Sequence, residues 1–243
     1  MYRARFTADG LTVVGEVRGD RAVGRGRSWP LGGIRLHPPV LPTKIVCVGR
    51  NYAAHAHELG RSIPDRPLLF FKPPSALVGP DQPVVLPPSR RVDYEGELAV
   101  VIGRRCRRVP ARCALEVVLG YTCLNDVTDR QAQQWEQNWV RAKGFDTACP
   151  LGPWMATPEE LAFPLVVETR VNGELRQRGS TDEFMFSIPE IIAEVSRVMT
   201  LEVGDVIATG TPPGVGPLSP GDTVEVEISG IGTLRNPVQG PAG

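Results

Sequence analysis

The stretch Asp93-Tyr94-Glu95-Gly96-Glu97 runs directly into the apolar residues Leu98-Ala99-Val100-Val101-Ile102, and Gly103 follows. An uninterrupted apolar run of this length predicts a β-strand that is buried on both faces. Because side chains alternate along a strand, Glu95 and Glu97 are expected to point to the same side. Two neighbouring carboxylates at the start of a core strand repel each other and lose hydration, which is costly unless a cation compensates. The stretch therefore predicts a buried strand and a candidate site for a hard divalent metal ion.

The composition is that of an ordinary globular chain of 243 residues, with 42% hydrophobic and 22% charged residues. A formal net charge of 0 gives no support to nucleic-acid binding or to an acidic membrane surface. No apolar run is long enough to span a bilayer and no signal-peptide core follows the start, so we expect a cytoplasmic protein without nucleic-acid or membrane partners. The 5 cysteines form no C-x-x-C pair, which favours buried reduced thiols over disulfides or structural zinc.

Lysine is rare in this chain, because only Lys44, Lys72 and Lys143 are found among its 27 basic residues. Where arginine is the default basic residue, a retained lysine indicates a position that needs a compact ammonium group. Lys143 is the lysine that we single out for chemistry, whereas Lys44 is equally consistent with a solvated surface residue.

The chain divides into two parts. Residues 1–42 carry short β-like pieces and end in the proline-rich segment His37–Pro42, which predicts a small N-terminal β domain and a linker. Residues 43–243 form the main domain, which begins with the strand Lys44–Gly49 and a short helix from Asn51 through Leu59 that Gly60 closes. A short helix between irregular segments is suited to act as a mobile lid.

Further local signals follow downstream. They are a helix N-cap at Thr128, a hairpin turn at Asn172-Gly173, a capping box at Ser187–Glu190 followed by a core helix, and an alternating strand at Thr223–Ile228. Together they predict a mainly β fold with few helices, of the α+β class.

A metal site needs a third ligand, and Asp126 is the candidate. It ends a second predicted strand, Leu119–Asp126, and a carboxylate at a strand end is well placed to meet Glu95 and Glu97. Ligation by oxygen alone favours Mg²⁺ or Mn²⁺ over Zn²⁺. On these residues alone, a purely structural cluster of acids is the more common interpretation.

His55 and Glu58 lie three residues apart on one face of the predicted lid helix. A carboxylate beside an imidazole fixes its tautomer and raises its basicity, so the pair could deprotonate a water molecule. The alternative is a plain surface pair on an exposed helix. His57 lies on another face and is expected to be solvated, and no function is expected for His37.

The glycine-rich turn Thr209–Gly216 could hold a carboxylate with its amides and hydroxyls, although an ordinary β-turn is the simpler interpretation. It is not a P-loop, because the lysine and the helix of that motif are missing.

Taken together, these stretches resemble the fumarylacetoacetate hydrolase (FAH) family, from Lys44 to about Val238 and in the same order. The segments that carry the resemblance are Gly49-Arg50-Asn51-Tyr52-Ala53-Ala54-His55, Phe71-Lys72-Pro73-Pro74-Ser75, Asp93-Tyr94-Glu95-Gly96-Glu97-Leu98, Asn125-Asp126-Val127-Thr128, Lys143-Gly144-Phe145-Asp146-Thr147, Thr209-Gly210-Thr211-Pro212 and Gly232-Thr233-Leu234-Arg235-Asn236-Pro237. One departure is visible, because the family's usual T-A-R-D stretch is here Thr128-Asp129-Arg130-Gln131. Arg130 and Gln133 keep their places, so this difference is expected to affect the local polarity of the site and its preference among substrates.

The resemblance implies an FAH-type mixed β-roll catalytic domain over residues 43–243, usually as a homodimer. It implies Mg²⁺ or Mn²⁺ on Glu95, Glu97 and Asp126, with Ca²⁺ as an ion that crystals could contain instead. It further implies that Lys143, Arg130, Gln133 and Thr211 surround the oxoacid end of the substrate, with His55 and Glu58 as the lid dyad.

The expected reaction is hydrolysis of a C–C bond in a 2,4-dioxo acid of the acylpyruvate type, through a metal-stabilised pyruvate enolate. Decarboxylation of oxaloacetate passes through the same enolate, and isomerisation of 2-hydroxyhepta-2,4-diene-1,7-dioate uses the same chelate. The sequence does not separate these three reactions. A non-catalytic metal-binding relative is the alternative from another class, and it predicts lost ligands or a lost dyad.

Overall fold

The computed structural model describes residues 1–58, 60 and 64–241, and within them the chain is mainly β with short helices, which confirms the predicted class. The strands are β1 (Tyr2–Ala8), β2 (Leu11–Arg18), β3 (Arg21–Gly24), β4 (Arg27–Pro30), β5 (Arg35–His37), β6 (Ile45–Gly49), β7 (Leu68–Lys72), β8 (Leu77–Val78), β9 (Val84–Val85), β10 (Val92–Tyr94), β11 (Gly96–Ile102), β12 (Val118–Asn125), β13 (Thr128–Asp129), β14 (Cys149–Ala156), β15 (Val166–Val171), β16 (Glu174–Ser180), β17 (Val206–Ala208), β18 (Gly216–Pro217), β19 (Thr223–Ile228) and β20 (Gly232–Gln239). The α-helices are α1 (Ala53–Glu58), α2 (Arg130–Trp135), α3 (Val140–Lys143) and α4 (Ile188–Val198). Short 3₁₀ turns cover residues 31–33, 74–76, 111–117, 158–160 and 181–183.

The strands form three sheets. The largest follows the order β4-β3-β2-β1-β14-β12-β11-β17-β6-β7, with β5 beside β1 and β8 beside β14. A second sheet has the order β16-β15-β19-β20-β9, and a small third sheet has the order β13-β10-β18. Most neighbours are antiparallel, but β17 with β6, β14 with β8, and β20 with β9 are parallel, so the fold is mixed.

Strand β11 lies in the middle of the large sheet, and all seven of its residues are buried. Leu98, Val100 and Ile102 belong to one apolar cluster, which also contains residues of the second sheet and of α4. Ala99 and Val101 belong to a second cluster on the opposite face of the sheet. The two faces of β11 are therefore covered by different layers, as the uninterrupted apolar run predicts.

The pairing of β11 with its neighbours brings three chain segments to one edge of the sheet. Gly96 is opposite Asn125 on β12, so the residue after that strand, Asp126, lies beside Glu95 and donates its backbone N–H to the Glu95 carbonyl at 2.8 Å. On the other side, Ala99 is opposite Ala208 on β17, which leads into Thr209.

The helix signals are confirmed with one correction. Ser187 and Glu190 form the predicted capping box at the start of α4. At α2 the N-cap is Asp129 and not Thr128, because the Asp129 carboxylate accepts the backbone N–H groups of Gln131 and Ala132. Thr128 remains extended in β13, and its hydroxyl is directed to the neighbouring site.

Helix α1 occupies the predicted lid segment but begins two residues later than expected, at Ala53. Leu59, the predicted last residue of that helix, lies outside the described residues. Gly60 has a φ of 63°, a left-handed conformation that suits a residue just past a helix end.

The first 37 residues build β1 to β5 around an apolar cluster of their own, in which Phe6 is fully buried. Strand β1 continues the large sheet through its pairing with β14, where Arg3 is opposite Met155. The predicted boundary between a small N-terminal domain and the main domain, between residues 42 and 43, stays a prediction.

Among the described helices, none is long and apolar enough to cross a membrane.

Candidate active site

Glu95, Glu97 and Asp126 lie together at the edge where β11 begins and β12 ends. One carboxylate oxygen from each of the three lies within 4.8 Å of the others, and all three side chains are buried. Glu97 follows Gly96 on the strand, and Glu95 precedes it, so the alternation of side chains directs both acids to one side. The cluster is the one that the sequence predicts.

Lys143 contacts two members of this triad from α3. Its ammonium group donates to Glu95 Oε2 at 3.0 Å, to Asp126 Oδ2 at 2.7 Å and to the Thr128 hydroxyl at 2.6 Å. All three N–H groups of the lysine are thereby used. Its nitrogen also lies 4.8 Å from the centre of the Phe70 ring, a cation–π contact that adds to its fixed position.

Arg130 contacts the triad from α2. Its Nη2 lies 2.6 Å from Glu95 Oε1, its Nε donates to Asp93 Oδ2 at 2.8 Å, and its Nη1 donates to Gln133 Oε1 at 3.0 Å. The planar guanidinium therefore joins three side chains in one network. Arg91 donates to both oxygens of Asp93 from the outer side of this network.

Lys72 reaches the same cluster from the opposite direction, and its side chain is fully buried. Its nitrogen lies 2.8 Å from Asp126 Oδ1. The two oxygens of Asp126 are thus divided between two lysines, with Oδ1 next to Lys72 and Oδ2 next to Lys143.

The surroundings shift the pKa values of the two glutamates in opposite directions. Burial alone would raise the pKa of Glu95, but Lys143 and Arg130 outweigh burial and hold that pKa well below its usual range. For Glu97, burial raises the pKa and the negative charges of Asp126 and Glu95 raise it further. Burial would also lower the pKa of Lys143, yet Asp126 and Glu95 offset this and raise it.

Glu97 is the triad member without a basic partner among the described residues. Its Oε2 accepts the backbone N–H of Gly210 at 2.7 Å. This hydrogen bond lowers the pKa of Glu97, but by less than burial and the two neighbouring acids raise it. A buried carboxylate beside two others is what a divalent cation would stabilise. The donor set, three carboxylates with no sulfur and no imidazole, fits Mg²⁺ or Mn²⁺.

His55 and Glu58 form the predicted pair on α1, with His55 Nδ1 at 3.0 Å from Glu58 Oε2. The histidine is buried, whereas about a third of the Glu58 side chain is exposed (34%). The other Glu58 oxygen, Oε1, accepts the backbone N–H of Gly214 at 3.0 Å, which links the helix to the glycine-rich turn. His57 is exposed, as expected from its place on another face of the helix.

A cavity of about 420 Å³ opens next to the triad. The predicted site residues on its wall are His55, Glu95, Glu97, Arg130, Gln133, Lys143 and Thr211. Its volume is in the range of small-molecule sites, and its wall combines apolar and charged side chains. Seven predicted residues thus share one cavity, although the roles assigned to them stay predictions.

The glycine-rich turn supports the site through Thr211. Its hydroxyl donates to the Gly96 carbonyl at 2.8 Å and accepts from Gln177 Nε2 at 2.7 Å. Gly210 has a φ of 97°, and a Cβ at that position would come within 2.7 Å of the Asn51 side chain. The turn that carries Gly210 and Thr211 therefore requires glycine for both backbone conformation and space.

Four residues with clear roles in this arrangement were not predicted, namely Lys72, Asp93, Thr128 and Gln177. For Lys72 a signal existed, because it is one of three lysines in an arginine-biased chain, the same signal that singled out Lys143. Asp93 also had a signal, because it begins the stretch Asp93–Glu97 that predicts the metal site. Gln177, on β16, had no signal, because only the packing of the second sheet against β11 brings it to Gly96, whose N–H it accepts at 3.0 Å.

The sequence and the fold match those of a known enzyme family. The pattern described as fumarylacetoacetate (FAA) hydrolase C-terminal matches residues 44–239, which is most of the chain. The chain therefore belongs to the fumarylacetoacetate hydrolase family, and the resemblance of its motifs to this family is confirmed.

Similar proteins extend over most of the chain. An uncharacterised protein of Archaeoglobus fulgidus is 50% identical over 235 residues, which cover 96% of this chain and 94% of that protein. The oxaloacetate tautomerase YisK of Bacillus subtilis is 44% identical over 225 residues, or 86% of this chain and 75% of that protein.

Solved structures share the fold over the whole length. A 5-carboxymethyl-2-hydroxymuconate delta-isomerase from Mycobacterium smegmatis has a TM-score of 0.93 and 45% identity, with 100% of both chains covered. The maleylpyruvate hydrolase of Sphingobium sp. SYK-6, solved with manganese(II) and pyruvate, has a TM-score of 0.87 and 35% identity, again with 100% of both chains covered. The family thus includes isomerases, tautomerases and hydrolases.

Proposed function

We propose that this protein is a divalent-metal-dependent enzyme that acts on small 2-oxo acids, and that it hydrolyses the C–C bond of an acylpyruvate-type 2,4-dioxo acid. The observation that carries the proposal is the His55–Glu58 pair at the cavity that also contains Glu95, Glu97 and Lys143. A proton-transfer pair and a candidate metal triad at one cavity are the two components that such a hydrolysis requires.

The metal would be held by Glu95, Glu97 and Asp126, whose geometry and donor atoms fit Mg²⁺ or Mn²⁺. When bound, the ion would supply a Lewis acid for the carboxylate and 2-oxo oxygens of the substrate. The solved relative from Sphingobium contains manganese(II) together with pyruvate, which supports this arrangement by analogy. Arg130, Gln133 and Thr211 line the same cavity and would bind the oxoacid end.

The His55–Glu58 pair would carry the proton transfers. Because Nδ1 of His55 faces the Glu58 carboxylate, the imidazole would keep its proton there and present Nε2 as the base. His55 takes a proton from water, and the resulting hydroxide adds to the C4 carbonyl. The C3–C4 bond then breaks, its electron pair moves to C3, and the acyl group leaves as a carboxylic acid. Transfer of the proton that His55 took from water to C3 of the pyruvate enolate completes the reaction and restores the neutral imidazole.

Lys143 would have two tasks. As it stands, its ammonium group orders Glu95 and Asp126, and all three of its N–H groups are used. To stabilise the enolate directly, it would transfer one of these hydrogen bonds to the developing oxyanion. The retention of the ligands and of the dyad disfavours a non-catalytic relative.

Tautomerisation of oxaloacetate is the second candidate. It is favoured by the 44% identity to the oxaloacetate tautomerase of Bacillus subtilis and by the isomerase from Mycobacterium smegmatis. This reaction moves one proton between C3 and the 2-oxygen, so it needs the same oxoacid contacts and no attacking water. Oxaloacetate decarboxylation would share its enolate and is a third outcome of the same assay.

The test uses purified protein with Mg²⁺ or Mn²⁺ against acetylpyruvate, fumarylpyruvate, oxaloacetate and a hydroxymuconate-type diene-dioate. We expect release of pyruvate and a carboxylic acid from an acylpyruvate, and loss of this turnover in EDTA. Enol–keto conversion of oxaloacetate without cleavage of any acylpyruvate would favour the tautomerase instead. Turnover that persists in EDTA, or no turnover of any of these acids, would contradict the proposal.

We also propose that the protein is a cytoplasmic homodimer. All five cysteines are free, and three of them, Cys47, Cys123 and Cys149, are buried, which suits a reducing compartment. The dimer is supported by exposed apolar side chains on neighbouring elements, namely Phe71 on β7, Trp135 on α2 and Val140 on α3.

A further inference from the structure

Arg91 lies on the wall of the cavity, and the proposed reaction does not use it. Its guanidinium donates through Nε to Asp93 Oδ1 at 2.8 Å and through Nη2 to Asp93 Oδ2 at 3.0 Å. Two parallel hydrogen bonds to one carboxylate fix the plane of a guanidinium group. The third nitrogen, Nη1, has no hydrogen-bond partner among the described residues, so its N–H groups are available to a ligand.

Asp93 holds two arginines and compensates them unequally. Its carboxylate is fully buried, and its Oδ2 accepts from Arg91 Nη2 and also from Arg130 Nε. Two like charges at one oxygen repel each other unless each has an acid of its own. Arg130 has a second acid, Glu95, whereas within the described part of the chain Arg91 pairs with Asp93 alone. The charge of Arg91 is therefore only partly compensated.

The two arginines also differ in what they leave for a substrate. All three nitrogens of Arg130 contact protein side chains, and only 12% of its side chain is exposed. Arg91 contacts no member of the triad within the described residues, and its side chain is 55% exposed. Arg130 thus belongs to the oxoacid end of the cavity, whereas Arg91 belongs to a part of the wall away from the triad.

The cavity wall carries an excess of positive charge. Apart from the histidine, its charged side chains are four bases, Arg50, Arg91, Arg130 and Lys143, and three acids, which are Asp93 and the two glutamates of the triad. The remaining acid of the triad is paired with a buried lysine. A divalent cation on the triad would increase the excess by two charges. A substrate with two carboxylates compensates such a wall better than a substrate with one.

We propose that Arg91 is a specificity-determining residue that binds a second carboxylate at the far end of the acyl group, and that the substrate is therefore a 2-oxo diacid. The planar guanidinium, already oriented by Asp93, suits a carboxylate better than a water-filled rim would. Leu68, Phe70 and Trp139 on the same wall would contact the carbon chain. The inference rests on the proposed function for the binding of the oxoacid end.

Isothermal titration calorimetry of the purified protein with Mn²⁺ tests the proposal. Each 2-oxo diacid of five to seven carbons is compared with the 2-oxo monoacid of the same length, beginning with 2-oxoglutarate and 2-oxopentanoate. At one or more of these lengths the wild-type protein should bind the diacid at least about tenfold more tightly, as expected for a hydrogen bond between charged groups. Equal affinities at all three lengths would overturn the proposal without any variant.

Arg91→Gln removes the charge and keeps an amide that can donate to Asp93. Because the side chain is half exposed, the variant should fold. It should reduce the preference for the diacid to about twofold or less and leave the Kd of the monoacid unchanged, because only the diacid loses a partner. Equal weakening of both acids would show that Arg91 acts only through Asp93 and Arg130, and would refute the proposal.

Arg90→Gln is the matched control. Arg90 is the preceding residue and is also exposed, but it is not among the described residues on the cavity wall. This variant should keep the full preference for the diacid. A loss of preference equal to that of Arg91→Gln would attribute the effect to the general charge of the surface and not to Arg91.

The outcome is separable from the proposed reaction, because binding does not require cleavage. If diacids bind more tightly through Arg91 but no acylpyruvate is cleaved, the reaction is wrong and the role of Arg91 stands. If acylpyruvates are cleaved while diacids and monoacids bind equally, only the role of Arg91 is wrong.

Discussion

The two glutamates of the triad differ in charge environment although they are only two residues apart. Glu95 lies against Lys143 and Arg130, whereas Glu97 lies against a backbone amide and two other acids. In metal-free protein, Glu95→Gln should reduce the free energy of unfolding by about 3–5 kcal/mol, because two buried cations lose their partner. Urea unfolding in EDTA measures this change.

Glu97→Gln is the matched comparison for that substitution. A buried carboxyl group whose pKa is raised in the folded state costs stability when it ionises, so its neutral amide should leave the metal-free protein equally stable or more stable. Both variants should lose Mn²⁺ binding. A large destabilisation by Glu97→Gln alone would show that the charge environments are assigned the wrong way round.

The role of His55 can be separated from that of its neighbour. His55 is buried at the cavity and contacts Glu58, whereas His57, two residues away on the same helix, is exposed. His55→Ala should lower kcat about 10²–10⁴-fold, the usual range for a lost general base. His57→Ala should leave kcat unchanged, and steady-state assays of both variants with the same acylpyruvate provide the comparison. Full activity of His55→Ala would remove the water-activating role.

At the scale of single elements, α2 depends on a cap that also affects the site. The Asp129 carboxylate accepts two backbone N–H groups at the start of the helix that carries Arg130 and Gln133. Asp129→Ala should cost about 1 kcal/mol of stability. It should also raise KM for the oxoacid about tenfold, because a small misplacement of binding groups weakens substrate binding.

Ser187→Ala provides the control for that prediction. Ser187 forms the capping box of α4, which packs in the apolar core away from the cavity. It should cost a similar amount of stability and leave KM unchanged. If both variants change KM equally, the effect of Asp129→Ala comes from lower stability and not from the placement of Arg130 and Gln133.

At the scale of the whole molecule, Asp205 links the segment after the N-terminal strands to the large sheet. Its carboxylate accepts the Thr43 hydroxyl at 2.7 Å and the backbone N–H groups of Thr43, Lys44 and Glu202, and it pairs with the Lys44 ammonium. Burial would raise the pKa of Asp205, but these partners outweigh burial and lower it.

A carboxyl group with a lowered pKa stabilises the folded state above its usual pKa of about 3.9, and this contribution is lost as the pH falls through the lower folded-state pKa. Asp205→Asn should therefore reduce the free energy of unfolding by about 3 kcal/mol at pH 7. The difference from the wild-type protein should shrink below about pH 4. Urea unfolding at a series of pH values measures it, and a difference that is independent of pH would contradict this assignment.

The assembly is a further property of the whole molecule. Phe71, Trp135 and Val140 expose apolar area on adjoining elements, and a homodimer would cover such a surface. Light scattering should give twice the mass of one chain. A double substitution of Trp135 and Val140 by serine should shift it to the mass of the monomer, and a wild-type monomer would contradict the proposed dimer.

Much of the local structure could be predicted because it depends on neighbouring residues. The apolar run of β11, the turn at Asn172-Gly173 and the capping box at Ser187 each require only a few consecutive residues, and all three are present. The N-cap of α2 was assigned one residue too early. Thr128 and Asp129 are both good caps, but the Thr128 hydroxyl donates to the Asp126 carbonyl and accepts from the Lys143 ammonium group, which leaves the cap to Asp129.

The sequence by itself determined which residue types were available for chemistry: three acids near strand ends, a histidine and a glutamate on one helix face, and three lysines. Only the tertiary structure decided that two of those lysines share the oxygens of Asp126, and that Glu97 has no basic partner among the described residues. The reason is physical. Alternation along a strand is a local property, whereas the meeting of Lys72 with Asp126 depends on the register of β6 with β7 and on the packing of α3, which no short stretch of sequence contains.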